Sequence, residues 1–236
     1  MQLNRTLAGS AVAGAALVGA ALSAVPSTAT AAPAAPAATT TATASATTAY
    51  TPPVYGARAV ARLDPLNNSG VTGTGVVSIK VDKNVIKVTV AARGLLPKAP
   101  HAMHIHWGAT AKHECPTVKQ DVNRDHRLNV AEGLPQYGGI RVSLTTKGDT
   151  SPASALAVDR FSTTPKGVLN YKRYDIKTDA MTIRALKKGQ AVLVVHGVDY
   201  NQNGTYDFDG AGASELDAKV PAEATDPAAC GVLHRH

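Results

Sequence analysis

The chain has 236 residues, with 24 Lys and Arg against 17 Asp and Glu, giving a formal net charge of +7. The cations are scattered, and the tight pairs are Lys172-Arg173 and Lys187-Lys188. No basic helix or aromatic-interleaved stripe supports a nucleic-acid partner, although the mild positive field suits a small anion.

Residues 1–31 read as a signal peptide. Arg5 precedes an apolar run from Leu7 to about Val25, and Ala29-Thr30-Ala31-Ala32 is a small-residue cleavage pattern. Cleavage would leave no membrane span. Residues 32–50 are almost wholly Ala, Thr, Pro and Ser. They cannot bury enough apolar surface to offset chain entropy, so they read as a disordered linker or stalk. The folded part is therefore expected over 51–236, secreted or associated with a cell wall. Cys115 and Cys230 would be two free thiols in a reducing space, but export favours one disulfide.

From residue 57 onward, alternation dominates. Val77, Ile79 and Val81 alternate with polar residues, as do Ile86, Val88 and Val90, and Asp82-Lys83-Asn84 between them predicts a hairpin. Further strands are predicted over 57–63, 101–107, 139–145, 166–174, 180–186 and 191–196. About eight short strands imply an all-β fold, an antiparallel Greek-key barrel or sandwich. Two long segments, 108–138 and 197–229, read as loops, the usual place for binding.

The densest chemistry lies in His101-Ala102-Met103-His104-Ile105-His106. On a strand, His104 and His106 share one face and can grip one metal ion, copper or zinc, while Met103 and Ile105 face a core. His196 closes the apolar run Val192–Val195 and could join them across a barrel.

These pieces resemble the copper/zinc superoxide dismutases. The resemblance rests on His101–Gly108 preceded by Gly94-Leu95, on Cys115 nine positions after His106, on Val194-Val195-His196, and on Ala229-Cys230-Gly231-Val232-Leu233. It implies copper held by His104, His106 and His196, a Cys115–Cys230 bridge, and conversion of superoxide to oxygen and peroxide. His113 or His126 would be the fourth ligand. The family's bridging and zinc histidines have no counterpart, so zinc is not expected, and Pro227 stands where the family has its anion-guiding arginine.

Calcium is a second metal to consider. Asp121, Asn123, Asp125, Asn129 and Glu132 fall at positions 1, 3, 5, 9 and 12 of a calcium loop, with His126 where glycine is usual. Asp199, Asn201, Asn203, Gly204 and Asp207 begin a second copy that lacks the terminal Glu. The plain alternative is two solvated turns. The His-Ile-His segment also resembles the chordin-type (CHRD) domain, which implies a non-catalytic secreted metal-binding or calcium-stabilised β module in place of a dismutase.

Overall fold

The computed structural model describes residues 54–236. The leader and linker expected over 1–31 and 32–50 lie outside the described residues. Among the described residues eleven strands form: β1 (Ala57–Pro65), β2 (Thr72–Lys80), β3 (Val85–Arg93), β4 (Pro100–His101), β5 (Met103–His106), β6 (Ile140–Ser143), β7 (Ser162–Thr163), β8 (Val168–Lys177), β9 (Val192–His196), β10 (Pro227–Val232) and β11 (His234–Arg235). Three α-helices interrupt them: α1 (Val130–Tyr137), α2 (Ala180–Lys188) and α3 (Ala222–Thr225). None is long and apolar enough to cross a membrane.

The main sheet is antiparallel and curls into a half-barrel in the order β6-β5-β9-β10-β1-β2-β3-β8, with β11 also pairing β1. The all-β expectation is borne out. So is the predicted hairpin: β2 and β3 pair from Lys80↔Val85 to Thr72↔Arg93. Asn84 closes the turn in the left-handed region at φ 48°, which asparagine tolerates because its short side chain bonds locally.

The segment 180–186 is not a strand. Asp179 caps Thr182 N–H at the start of α2, and Gly189 ends the helix at φ 67°. Ile183 and Leu186, three apart, bury one helical face. The segments expected as loops also hold α1, α3 and β10. In β10, alanines and a cysteine lack the polar alternation that marks a half-exposed strand, because both of its faces are covered.

The core lies inside the curl. Leu63, Ile79, Ile86, Met103, Ile105, Leu144, Leu193 and Leu233 are all essentially buried there, each worth roughly 1.5–3 kcal/mol if large and fully covered. A second cluster of Tyr137, Val192, Val194 and Cys230 packs on the other face of β9. The Cys115–Cys230 disulfide forms, with Cα atoms 5.8 Å apart, and ties the 108–129 segment to β10.

Candidate metal centre

Strand alternation decides which side chains meet. In the β5–β9 ladder, His104 pairs with Val194 and His106 with Val192. His196 is two residues beyond Val194, so all three histidines project from one face, opposite Met103, Ile105, Leu193 and Val195. His196 N–H donates to Ala102 C=O at 2.9 Å, which extends the ladder to the end of β9.

The three rings converge. One ring nitrogen from each of His104, His106 and His196 lies within 4.8 Å of the others, and all three side chains are buried. Among the described residues no other His, Cys, Asp or Glu group of three is so arranged. The outer nitrogen of each ring donates to a backbone carbonyl: His104 Nε2 to Ala155 at 3.2 Å, His106 Nδ1 to Gly138 at 2.8 Å, and His196 Nδ1 to Thr225 at 2.6 Å. These bonds leave His104 Nδ1, His106 Nε2 and His196 Nε2 buried with no partner. A buried polar atom without a partner costs about 1–3 kcal/mol. Three lone pairs aimed at one point fit a metal ion.

Burial keeps the imidazoles neutral. Desolvation drives His106 down to about 3 and His196 to about 4 from the usual 6.5, and His104 falls well below the usual value. Mutual repulsion among charged forms adds to the fall at His104 and His106. Neutral rings have the free lone pair that coordination needs. Tyr137 packs its ring 4.5 Å from that of His106, and Phe161 stands edge-on to His104 at 5.6 Å.

The mouth above the centre is a cavity of about 30 Å³ lined by Val130, Ile140, Leu156, Val158, Phe161 and Leu216, among others, with no charged side chain. His101 stays outside the trio; its ring nitrogens lie 3.0 Å from Leu96 C=O and 3.3 Å from His196 C=O. Neither proposed fourth ligand joins the trio. His113 stacks on Trp107 and bonds Gly108 C=O at 2.8 Å. His126 is exposed in its loop.

The two Asp/Asn loops fold alike. In the first, Asp121 accepts from His126 N–H at 2.9 Å, Asn123 from Asp125 N–H, and Asp125 from Arg127 N–H. In the second, Asp199 accepts from Gly204 N–H at 2.9 Å, Asn201 from Asn203 N–H, and Asn203 from Thr205 N–H. Residues four and six of each loop are left-handed: Arg124 and His126, then Gln202 and Gly204.

Glu132 accepts from Val122 N–H at 2.9 Å and Asn129 N–H at 3.1 Å. The sequence offers no such glutamate for the second loop, but the fold supplies one. Glu223, fully buried, accepts from Tyr200 N–H at 2.8 Å and Asp207 N–H at 2.9 Å, at the equivalent places. It stands 24 residues after Asp199 in α3, beyond the reach of a local spacing rule. Arg127 joins the two loops, pairing at 2.7 Å with buried Asp226, which also accepts from Tyr200 O–H at 2.9 Å. Burial raises Asp226 to about 7, against the pull of Tyr200 and Arg127.

The family model of the CHRD domain matches residues 50–204. No curated protein matches the chain. The match is to the CHRD domain and not to a dismutase family, which corrects both the dismutase resemblance and the superoxide chemistry drawn from it. The mouth agrees with the correction, because hydrocarbon without a cation offers an anion no attraction. The match spans all three histidines but ends before Glu223 and Cys230.

Proposed function

The chain belongs to the CHRD domain family, and from that premise we propose that it is a non-catalytic, exported β module that binds one transition-metal ion through His104, His106 and His196. The observation that carries this reading is the three buried, unpartnered ring nitrogens within 4.8 Å of one another. Imidazole suits copper and zinc among other first-row ions, and such an ion, once bound, would supply the charge that these lone pairs lack. The carbonyls of Ala155, Gly138 and Thr225 orient the rings and fix which nitrogen carries the proton. The disulfide supports an oxidising location outside the cell.

The test is metal retention. Purified apoprotein, loaded separately with Cu(I), Cu(II) or Zn(II) and dialysed against a weak chelator, should keep one ion per chain of at least one of them. The His104→Ala, His106→Ala and His196→Ala variants should each lose it. Equal retention by wild type and variants would assign the ion to another site, such as His234-Arg235-His236, and overturn the reading.

A second reading is favoured by Glu223. The matching carboxylate placement in both loops supports calcium as a structural ion there, with oxygen donors from Asp121, Asn123, Asp125 and Glu132, and from Asp199, Asn201, Asn203 and Glu223. Asn129 is committed to capping α1 through Glu132 N–H, so its side chain would not be a ligand. Calcium should raise the melting temperature of wild type, and the rise should shrink in both Glu132→Gln and Glu223→Gln. A melting temperature indifferent to calcium would remove this reading.

A further inference from the structure

Resting on the reading of His104, His106 and His196 as a transition-metal centre, we infer that the ion the site selects is monovalent copper, held by three nitrogens and without water. The ligand set is uncharged. Three neutral imidazoles converge, and among the described residues no carboxylate or thiolate completes the group. The cost of placing an ion in a low-dielectric interior grows with the square of its charge, so it is about fourfold larger for a divalent ion. No anionic donor in the set offsets that difference.

The mouth closes off the alternative. A divalent zinc ion on three protein ligands takes a fourth, usually water. Above these rings the lining is Leu156, Val158, Phe161, Leu216 and Val220, all hydrocarbon. The Thr225 hydroxyl is the one other polar side-chain group in the lining, and it already bonds Ser214 Oγ and Ala222 C=O. The carbonyls of Ala155 and Thr225 are engaged by His104 and His196. A metal-bound water would have hydrocarbon walls and no free protein acceptor beside it, whereas an ordered water takes about 2–4 polar partners. Closed-shell Cu(I) has no such need. It accepts three neutral nitrogens as a complete shell, and its single charge is the least costly to bury.

The experiment uses the full chain as purified apoprotein. Cu(I) is titrated without oxygen against bicinchoninate, Zn(II) is titrated against a chromophoric zinc chelator, and X-ray absorption of the Cu(I) form counts its donors. One Cu(I) with three nitrogen donors should bind at least ~10³-fold more tightly than Zn(II). Leu216→Asp supplies the missing charge at a side chain that is 46% exposed, so the fold should tolerate it. It should narrow the ratio at least ~tenfold, by strengthening Zn(II).

Zn(II) binding wild type within tenfold of Cu(I), a fourth donor in the Cu(I) spectrum, or an unchanged ratio in Leu216→Asp would each overturn the inference while leaving the centre in place. If wild type instead held no more of either ion than His104→Ala, the underlying metal reading would fall.

Discussion

Replacing both Cys115 and Cys230 with alanine should cost this protein about 6 kcal/mol, chiefly through the unfolded state. The bridge closes a chain segment of 115 residues. In the loop-entropy relation, releasing such a segment frees about 5 kcal/mol of unfolded-chain entropy at room temperature. Trimming the buried Cys230 sulfur from its contacts with Tyr137, Val192 and Val194 adds roughly 1 kcal/mol. The assay is equilibrium urea unfolding of oxidised wild type and the double variant, followed by fluorescence. The midpoint should fall and the slope should steepen, because an uncrosslinked chain exposes more surface. Metal retention should survive in the folded variant, since the histidines are held by the carbonyls of Ala155, Gly138 and Thr225 and by neither cysteine. A loss under about 1 kcal/mol with an unchanged slope would refute the entropic argument.

Three further outcomes follow from the geometry. His106 has its folded pKa depressed to about 3 from 6.5, so the unfolded chain binds its proton more readily, and stability is full above 6.5 and falls as the pH drops below it. Between about pH 8 and pH 5, metal-free His106→Gln should lose about 2 kcal/mol less than metal-free wild type, and equal losses in urea titrations would contradict this. Arg127→Met removes the cation 2.7 Å from buried Asp226, whose pKa is already about 7, and should cost about 3 kcal/mol at alkaline pH, where Asp226 is charged. The loss should lessen as the pH falls and Asp226 protonates, so a pH-independent loss would count against it. Gly133→Ala would set a methyl 2.4 Å from the Tyr137 ring, which packs on His106; expected are a loss of roughly 1–3 kcal/mol and weaker metal retention, read from melting and dialysis together.

Much of the site was legible in the sequence because strand alternation is a local rule. His104 and His106 share a face by spacing alone, and the apolar run to His196 marks a late strand. What alternation could not supply was the order of strands, and that order lays β9 beside β5 and brings His196 to the other two. The segment 180–186 misled because a short apolar run looks the same at either period. Its helix is declared by Asp179 and Gly189, at the flanks. Glu223 was invisible for a different reason. A loop motif is read along the chain, whereas its acid arrives from α3 through space. The paired cysteines and histidine spacing that pointed to a dismutase are satisfied by the sheet geometry itself, so they identify a scaffold and leave its chemistry open.

The oxygens that fix the proton on each ring of the trio are all main-chain atoms, belonging to Ala155, Gly138 and Thr225. No single codon change deletes a peptide carbonyl. Those three positions can therefore drift in side chain while the rings keep their tautomers, provided the turns that present them persist. What substitution can readily alter is the hydrocarbon rim, so the selectivity proposed for the centre could change while the orientation of its rings stayed fixed.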